Sequence, residues 1–400
     1  MIKILLIDEF IHLPTKGAPL FVMEMKYLAE NDFDLNTLGF DDDKQESHQN
    51  FNVIQNRKNR ILLKKGKFLG DRIKQNEIKE IIERIKPDLI HCHLLTNNAL
   101  NVYEAIPEGM PVVQTLHGPN FFCPTSWGCI KKDSSYCELG VGSKCYKNEC
   151  VSRSVYVSYK MLDIKLKPLL SKKVTRFHCP SKQIELVANR LGYANTTHIM
   201  LGLRESFLEN EITHGSYGTK QIIFVGKMTP VKGVDYLLKA FQLLLKEDNS
   251  VKLILAGTGD HSDAYIKLSE ELGIAKNVEF KGFVVEKELK KLFSESDICV
   301  VPSIWAEQFG MVGPEAMASG VPVIGSDIGG IPEWLSTDYG WLVKPRDIEG
   351  LKVAMQLAIS NPKDLKIKGK MAREIARELY TSKRYNESLE ELFKSIIDNE

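Results

Sequence analysis

The chain has 400 residues, 43% of them hydrophobic and 26% charged, with a formal net charge of +1. That is the composition of an ordinary globular protein, and the length favours two domains over one. No apolar run approaches the roughly 18 to 20 residues of a membrane span. The start, 1–10, reaches Asp8 and Glu9 after a short apolar run, so it reads as a buried strand and not as a signal peptide. A chain of this kind is expected in the reducing cytoplasm, where its eight cysteines are thiols or metal ligands before they are disulfides.

In chain order, the first half alternates apolar strands at 2–7, 35–40, 89–92, 112–116 and 174–179 with helix-period stretches such as 20–30. This alternation predicts a parallel sheet wrapped by helices. From 221 the pattern restarts, with strands at 222–225, 251–256, 278–280, 298–301, 321–324 and 340–343, and it closes on a helical, charge-paired stretch at 365–397. The expected architecture is α/β, with two doubly wound Rossmann-like domains facing across a cleft. The polar segment 204–220 reads as the linker. The expected domains are 1–203 with a Cys-rich loop at 118–150, 204–380, and a helix at 381–400 that packs back on the first domain. The charges divide unevenly: 28 basic against 22 acidic residues in 1–200, and 25 against 30 in 201–400. Most of the positive excess lies in 57–74 and 153–176, which read either as solvated helix faces or as cations offered to phosphate, an anionic acceptor or an acidic membrane surface. Neither stretch carries a nucleic-acid recognition motif.

Open parallel sheets bind ligands beyond the carboxyl ends of their strands, so the residues after each apolar run carry the most information. The segment 301–325 reads strand, loop, helix, turn, strand. Gly310 stands just ahead of the helix, whose free amides offer donors to a phosphate. Glu307 precedes the helix, and Glu315 is expected in its second turn, where a carboxylate can accept two hydrogen bonds from a diol. Taken alone, Glu315 is equally a helix-start carboxylate that complements the dipole. Gly257 and Gly259 follow the strand at 251–256 and read as a nucleotide-pocket wall or a plain tight turn.

Glu307 and Glu315 form an E-x7-E motif, and the surrounding segment resembles that of family 4 retaining glycosyltransferases with the GT-B fold. The resemblance extends over 86–93, 115–118, Pro180-Ser181 and the run from Val225 to Gly233. It implies that Glu307 lies by the donor sugar, that Glu315 binds the ribose, and that Lys227 and Lys232 grip the diphosphate. It also implies that Gly226, Gln308, Phe309, Met311 and the glycine-rich loop at Gly17 border the donor, and that His117 reaches the donor sugar. The chain departs from the family's pattern with Lys227 in place of Arg, a point charge for a bidentate fork. It departs again with Gly118 where Asp is common, and with 200–204 in place of a Pro-Asn-Gly hinge.

The implied reaction is transfer of a sugar from a UDP- or GDP-linked donor with retention, in bacterial surface polysaccharide or glycolipid assembly. The acceptor would be a sugar or lipid-linked molecule at the inner membrane face, and no nucleic acid takes part. Cations on Lys227 and Lys232 would stabilise the leaving diphosphate, so no cofactor or metal is required. Paired carboxylates also serve glycoside hydrolysis, where they stand about 5 to 10 Å apart, whereas eight residues along a helix span about 12 Å. Asp41, Asp42 and Asp43 read as a solvated loop, and His91 and His93, on one face of a strand, as a satisfied structural pair. Cys123, Cys129, Cys137, Cys145 and Cys150 crowd one segment without a C-x2-C signature. They are open to a metal site, buried thiols or a redox-sensitive loop. The alternatives to a transferase are a nucleotide-sugar epimerase of the same fold, or a metal or redox sensor built on the cysteines.

Overall fold

The computed structural model describes residues 1–9, 24, 27–31, 33–41, 50–56, 67–125, 137–208 and 217–398. Gly17, Cys129, Asp42, Asp43, most of the helix expected at 20–30 and the first part of the basic stretch at 57–74 lie outside the described residues. The chain divides into two units, one formed by the residues up to Leu201 together with those from Tyr385 onward, the other by Gly202–Arg384.

The first unit is built on a seven-stranded sheet of order β3-β2-β1-β4-β5-β6-β7. Its strands are β1 (Ile2–Ile7), β2 (Phe33–Asp41), β3 (Phe51–Gln55), β4 (Leu89–Cys92), β5 (Val112–Thr115), β6 (Arg176–Cys179) and β7 (Thr196–His198). The second unit holds a six-stranded sheet of order β10-β9-β8-β11-β12-β13. These strands are β8 (Gln221–Val225), β9 (Lys252–Ala256), β10 (Val278–Gly282), β11 (Ile298–Val301), β12 (Val323–Ser326) and β13 (Gly340–Val343). The strand pairings are parallel in both sheets. A parallel sheet is covered by helices on both faces, and its central strands are therefore apolar throughout. Ile4, Leu5, Leu6 and Ile7 are wholly buried in β1, as are Ile298, Cys299 and Val300 in β11.

In each unit the chain leaves the first strand on one side and returns on the other, so the strand order reverses between β1 and β4 and again between β8 and β11. A crevice opens beyond the strand ends at such a reversal, and it is the usual ligand position in this class of sheet. The helices that cover the sheets bury one stripe each. Arg153–Lys173 buries Leu162, Leu166 and Leu170, and Val234–Leu245 buries Val234, Leu237, Leu238, Phe241 and Leu244.

Three sequence expectations change. The segment 204–220 is not a plain polar linker: Glu205–Leu208 is helical, Phe207 is fully buried, and the Asp297 carboxylate accepts from the backbone N–H groups of Gly218 and Lys220 at 2.8 and 2.5 Å. The helical stretch at 365–397 is two helices, Pro362–Leu379 and Ser382–Ile397, separated where Leu203 N donates to Tyr380 O at 2.8 Å. Strands β3 and β7 join the first sheet although neither carries an apolar run, because each is short and only half-buried.

Candidate functional site

The reversal in the second sheet gathers the largest group of residues singled out in the sequence. After β8 come Gly226 and Lys227, then a single 3-10 turn at Pro230–Lys232. After β11 comes the loop that carries Glu307 to Met311, followed by the helix Val312–Ala318. Lys232 Nζ lies 2.5 Å from Glu307 Oε1, and the same oxygen accepts from Ser303 Oγ at 2.6 Å. Glu307 is 5% exposed. Burial alone would raise its carboxyl, but the Lys232 charge and the two hydrogen bonds hold it below the usual carboxylate range. Its backbone is clamped as well, since Gly330 N donates to Glu307 O at 2.7 Å. Lys232 is also held 5.5 Å from the centre of the Trp305 ring. Lys227 is exposed on the same connection.

Glu315 falls in the first turn of Val312–Ala318, not the second, because the helix begins only after Met311. Pro314 is tolerated there because the first turn's N–H groups have no helical partner. Burial pushes the Glu315 carboxyl up, and Arg204, whose Nη2 donates to Glu315 Oε1 at 2.8 Å, pulls it back. Arg204 also bonds Glu286 Oε2 through Nη1 at 2.6 Å. Seven residues make a short dipole, so the helix start near Gly310 is a weaker anion site than the sequence suggested, and the positive charge at this end of the sheet resides on Lys227 and Lys232.

Phe309 is buried against Tyr380, and its carbonyl accepts from Trp334 Nε1. Gln308, next to Glu307, is 8% exposed, yet neither atom of its amide has a partner among the described residues. A buried amide left open costs free energy unless something completes it. Gly257 and Gly259 form the wall opposite Gly226 and Met228. Gly226 N donates to Ala256 O at 2.9 Å and Met228 N to Thr258 O at 3.0 Å. Gly257 has φ 134°, and a side chain there would run into the Gly226 carbonyl. The glycine is thus required both by its backbone and by close approach.

Sequence reasoning missed Arg204 and Ser303. Arg204 is 111 positions from Glu315 in the chain and carries no pattern of its own. Ser303, four residues before Glu307, could have been read as a local partner.

In the first unit, His117 follows β5 and is half-buried. Its Nε2 lies 2.9 Å from His93 Nδ1, and the two rings stack with centroids 5.1 Å apart. His93 Nε2 faces Glu24 Oε2 at 3.2 Å, and His91 Nδ1 faces Glu24 Oε1 at 2.6 Å. His91 Nε2 meets Thr115 Oγ1 at 2.7 Å, Thr115 Oγ1 meets His178 Nδ1 at 2.9 Å, and His178 Nε2 meets Ile199 O at 2.9 Å. The carbonyl can only accept, so His178 carries its proton on Nε2. Neutral His178 then accepts the Thr115 hydroxyl proton, and Thr115 in turn accepts from His91 Nε2–H. His91 Nδ1 faces a carboxylate, which also only accepts, so the chain closes when one proton is shared between His91 and Glu24. Burial disfavours charge on His91, pushes His178 down to about 3, and with the neighbouring imidazoles holds His117 well below its ordinary value. The reading of His91 and His93 as a satisfied pair therefore widens to a buried network that reaches His117. Glu24, His91 and His93 also bring their ligand atoms within 4.8 Å of one another. The direct 2.6 Å hydrogen bond fills the space an ion would need.

Cys123, Cys137, Cys145 and Cys150 line one pocket together with Lys144 and Leu139. No described cysteine is in a disulfide.

Comparison with known proteins bears on the family and the fold. The family model described as glycosyl transferases group 1 matches residues 209–377, and the one described as glycosyl transferase 4-like matches 12–126. An uncharacterized glycosyltransferase of Methanocaldococcus jannaschii is 30% identical over 281 residues, covering 69% of this chain and 67% of that protein. A D-inositol 3-phosphate glycosyltransferase of Corynebacterium glutamicum is 38% identical over 120 residues, 28% of each chain. Among solved structures, Anabaena HepE in complex with UDP and glucose aligns with TM-score 0.71 at 18% identity over 99% of this chain and 100% of that one. Sucrose-phosphate synthase from Thermosynechococcus elongatus aligns with TM-score 0.76 at 19% identity over the whole of both chains. At these identities the structural matches establish the fold, which is GT-B.

Proposed function

The chain belongs to the glycosyltransferases with group 1 and 4-like domains, and from that premise we propose that it transfers a hexose from a UDP- or GDP-linked donor to an acceptor with retention of configuration. The observation that carries this reading is the Lys232–Glu307 pair at the strand reversal of the second unit, next to the unpartnered buried amide of Gln308. Lys232 has three N–H donors, and one of them serves Glu307. The other two are left for a phosphate, and exposed Lys227 adds a second cation on the same connection. These charges stabilise the diphosphate as it departs, where negative charge develops, so the reaction needs no resident metal. Glu307 faces the sugar, Glu315 gives the oxygen not held by Arg204 to the ribose, and Gly226, Gly257, Gly259, Gln308, Phe309, Gly310 and Met311 shape the donor pocket. His117, in the first unit, is assigned to the donor sugar, with Gly17 as a further donor contact. The NMR coupling of the new anomeric proton tests the stereochemical part: the donor's configuration is expected in the product at first appearance, and an inverted product contradicts it.

For the acceptor we propose a lipid-linked or otherwise anionic molecule met at the cytoplasmic face of a membrane, in surface polysaccharide or glycolipid assembly. Among the described residues no helix is long and apolar enough to cross a membrane. The helix Arg153–Lys173, however, exposes Val157, Met161 and Ile164 at helical spacing while carrying Lys160, Lys165 and Lys172. Apolar residues beside cations suit an anionic lipid surface. A pocket beside this helix is lined by Leu100, Leu162 and Leu166 with Lys67, Tyr159 and Lys167, and Lys67 Nζ lies 3.1 Å from Tyr159 Oη. An apolar wall with two lysines fits an amphiphilic anion. Vesicles of phosphatidylglycerol are expected to retain the protein at low salt and release it at high salt. Equal partition into phosphatidylcholine vesicles contradicts the membrane reading.

A further inference from the structure

The cysteine pocket of the first unit has no part in the donor chemistry, and it carries an inference of its own. Cys123 follows the 3-10 turn Pro119–Phe121, Cys137 opens the next described segment, Cys145 lies in the four-residue helix Lys144–Lys147, and Cys150 follows it. All four line the same pocket. Between 137 and 150 only Leu139 and Cys145 are buried, which is too little apolar surface to hold the segment in place. Its backbone is nevertheless sharply defined. Leu139 and Glu149 hold φ 59° and 58°, a left-handed conformation that residues with side chains keep only when their surroundings over-determine it. Gly140 N donates to Phe122 O at 2.8 Å and Val151 N to Cys145 O at 3.1 Å, so hydrogen bonds hold the segment, and four thiols on one pocket offer it a further tie.

We propose that Cys123, Cys137, Cys145 and Cys150 bind one zinc ion as a tetrathiolate that staples this segment to the first unit. The four sulfurs come from the end of the 3-10 turn, from Cys137, from the short helix and from a position three residues beyond it, so a single ion would tie 137–150 to Cys123. The thiols make weak local contacts: Cys123 Sγ with Thr125 Oγ1 at 3.2 Å, Cys145 Sγ with Gly140 O at 4.0 Å, and Cys150 Sγ with Asn148 O at 3.8 Å. Each thiol gives its proton to solvent as the Zn–S bond forms, with no change of oxidation state. Zinc with four thiolates carries a net charge of about −2, and Lys144, whose Nζ bonds Leu139 O at 2.9 Å in the pocket wall, offsets part of it. The standard knuckle spacing is missing because the ligands are gathered by the fold and not by a local turn.

Two measurements on the full chain, purified without chelators from medium supplemented with zinc sulfate, test this. Elemental analysis is expected to find about one equivalent of zinc. Alkylation with iodoacetamide, read by mass spectrometry, is expected to spare partly exposed Cys123, Cys137 and Cys150 until 1,10-phenanthroline removes the metal. Less than about a tenth of an equivalent of zinc in folded protein overturns the proposal, as does rapid alkylation of all three without chelator. Iron with absorbance near 400 nm, or disulfides among these cysteines, overturns it in favour of a cluster or a redox loop. Cys150→Ser is expected to lose the metal. Cys179→Ser, on a buried thiol of the same unit outside the pocket, is expected to keep it. Donor binding is scored separately in the second unit, so this result and the transferase reading stand or fall independently.

Discussion

Two buried carboxylates at one strand end are shifted in opposite directions by their neighbours. Glu307 keeps its charge through Lys232 and Ser303, whereas burial raises Glu315 and Arg204 opposes it. The spacing of these glutamates was legible in the sequence. Arg204 was not, because an ion pair across 111 positions leaves no local trace. The histidine network was legible only as a pair on one strand: His178 and Glu24 come to it from other elements. It also makes a prediction. His178 titrates near 6.5 when unfolded and near 3 when folded, so below pH 6.5 the unfolded chain binds a proton that the folded chain refuses. Its contribution is full above 6.5 and is lost toward pH 3, with a slope approaching about 1.4 kcal/mol per pH unit. Urea denaturation at pH 7 and pH 5 is expected to show this loss, and His178→Asn to show less of it. An equal loss in the variant contradicts the assignment.

At the scale of elements, the helix Val312–Ala318 is short, and its position is fixed by what it packs on. Gly313 lies against the indole of fully buried Trp334, where an added Cβ would overlap the ring. Trp334 is itself tied to the Phe309 carbonyl. Gly313→Ala is expected to cost about 1–3 kcal/mol by overpacking and to disturb the Glu307 loop. Gly142→Ala, which meets only the Lys144 side chain at 4.0 Å, is expected to be near neutral. Urea midpoints check the pair, and a Gly313→Ala protein as stable as wild type contradicts the packing account. The central strands were legible because burial on both faces makes them apolar throughout. β7, with the sequence Thr-Thr-His, is half-exposed and offers no such run. The helix starts one residue later than Gly310 standing directly ahead of it suggests, because Met311 is its N-cap, and that moves Glu315 into the first turn.

At the scale of the whole molecule, the two units repeat one strand order, and the second places Lys232 and Glu307 where that order reverses. The repeat was legible as two series of apolar runs. The surroundings of each site were not, since they depend on which loops the sheet brings together. The second unit carries the donor chemistry in this account, through Lys232, Glu307 and Glu315. Thermal unfolding of the wild type and of Glu315→Ala against UDP, GDP and their sugars tests that claim most directly. A ligand that binds only the folded state at a hundred times its Kd adds about 2.7 kcal/mol of stability. UDP or GDP is therefore expected to raise the wild-type Tm by several degrees and to leave Glu315→Ala nearly unmoved. No shift with any nucleotide, or an equal shift in both proteins, contradicts the account.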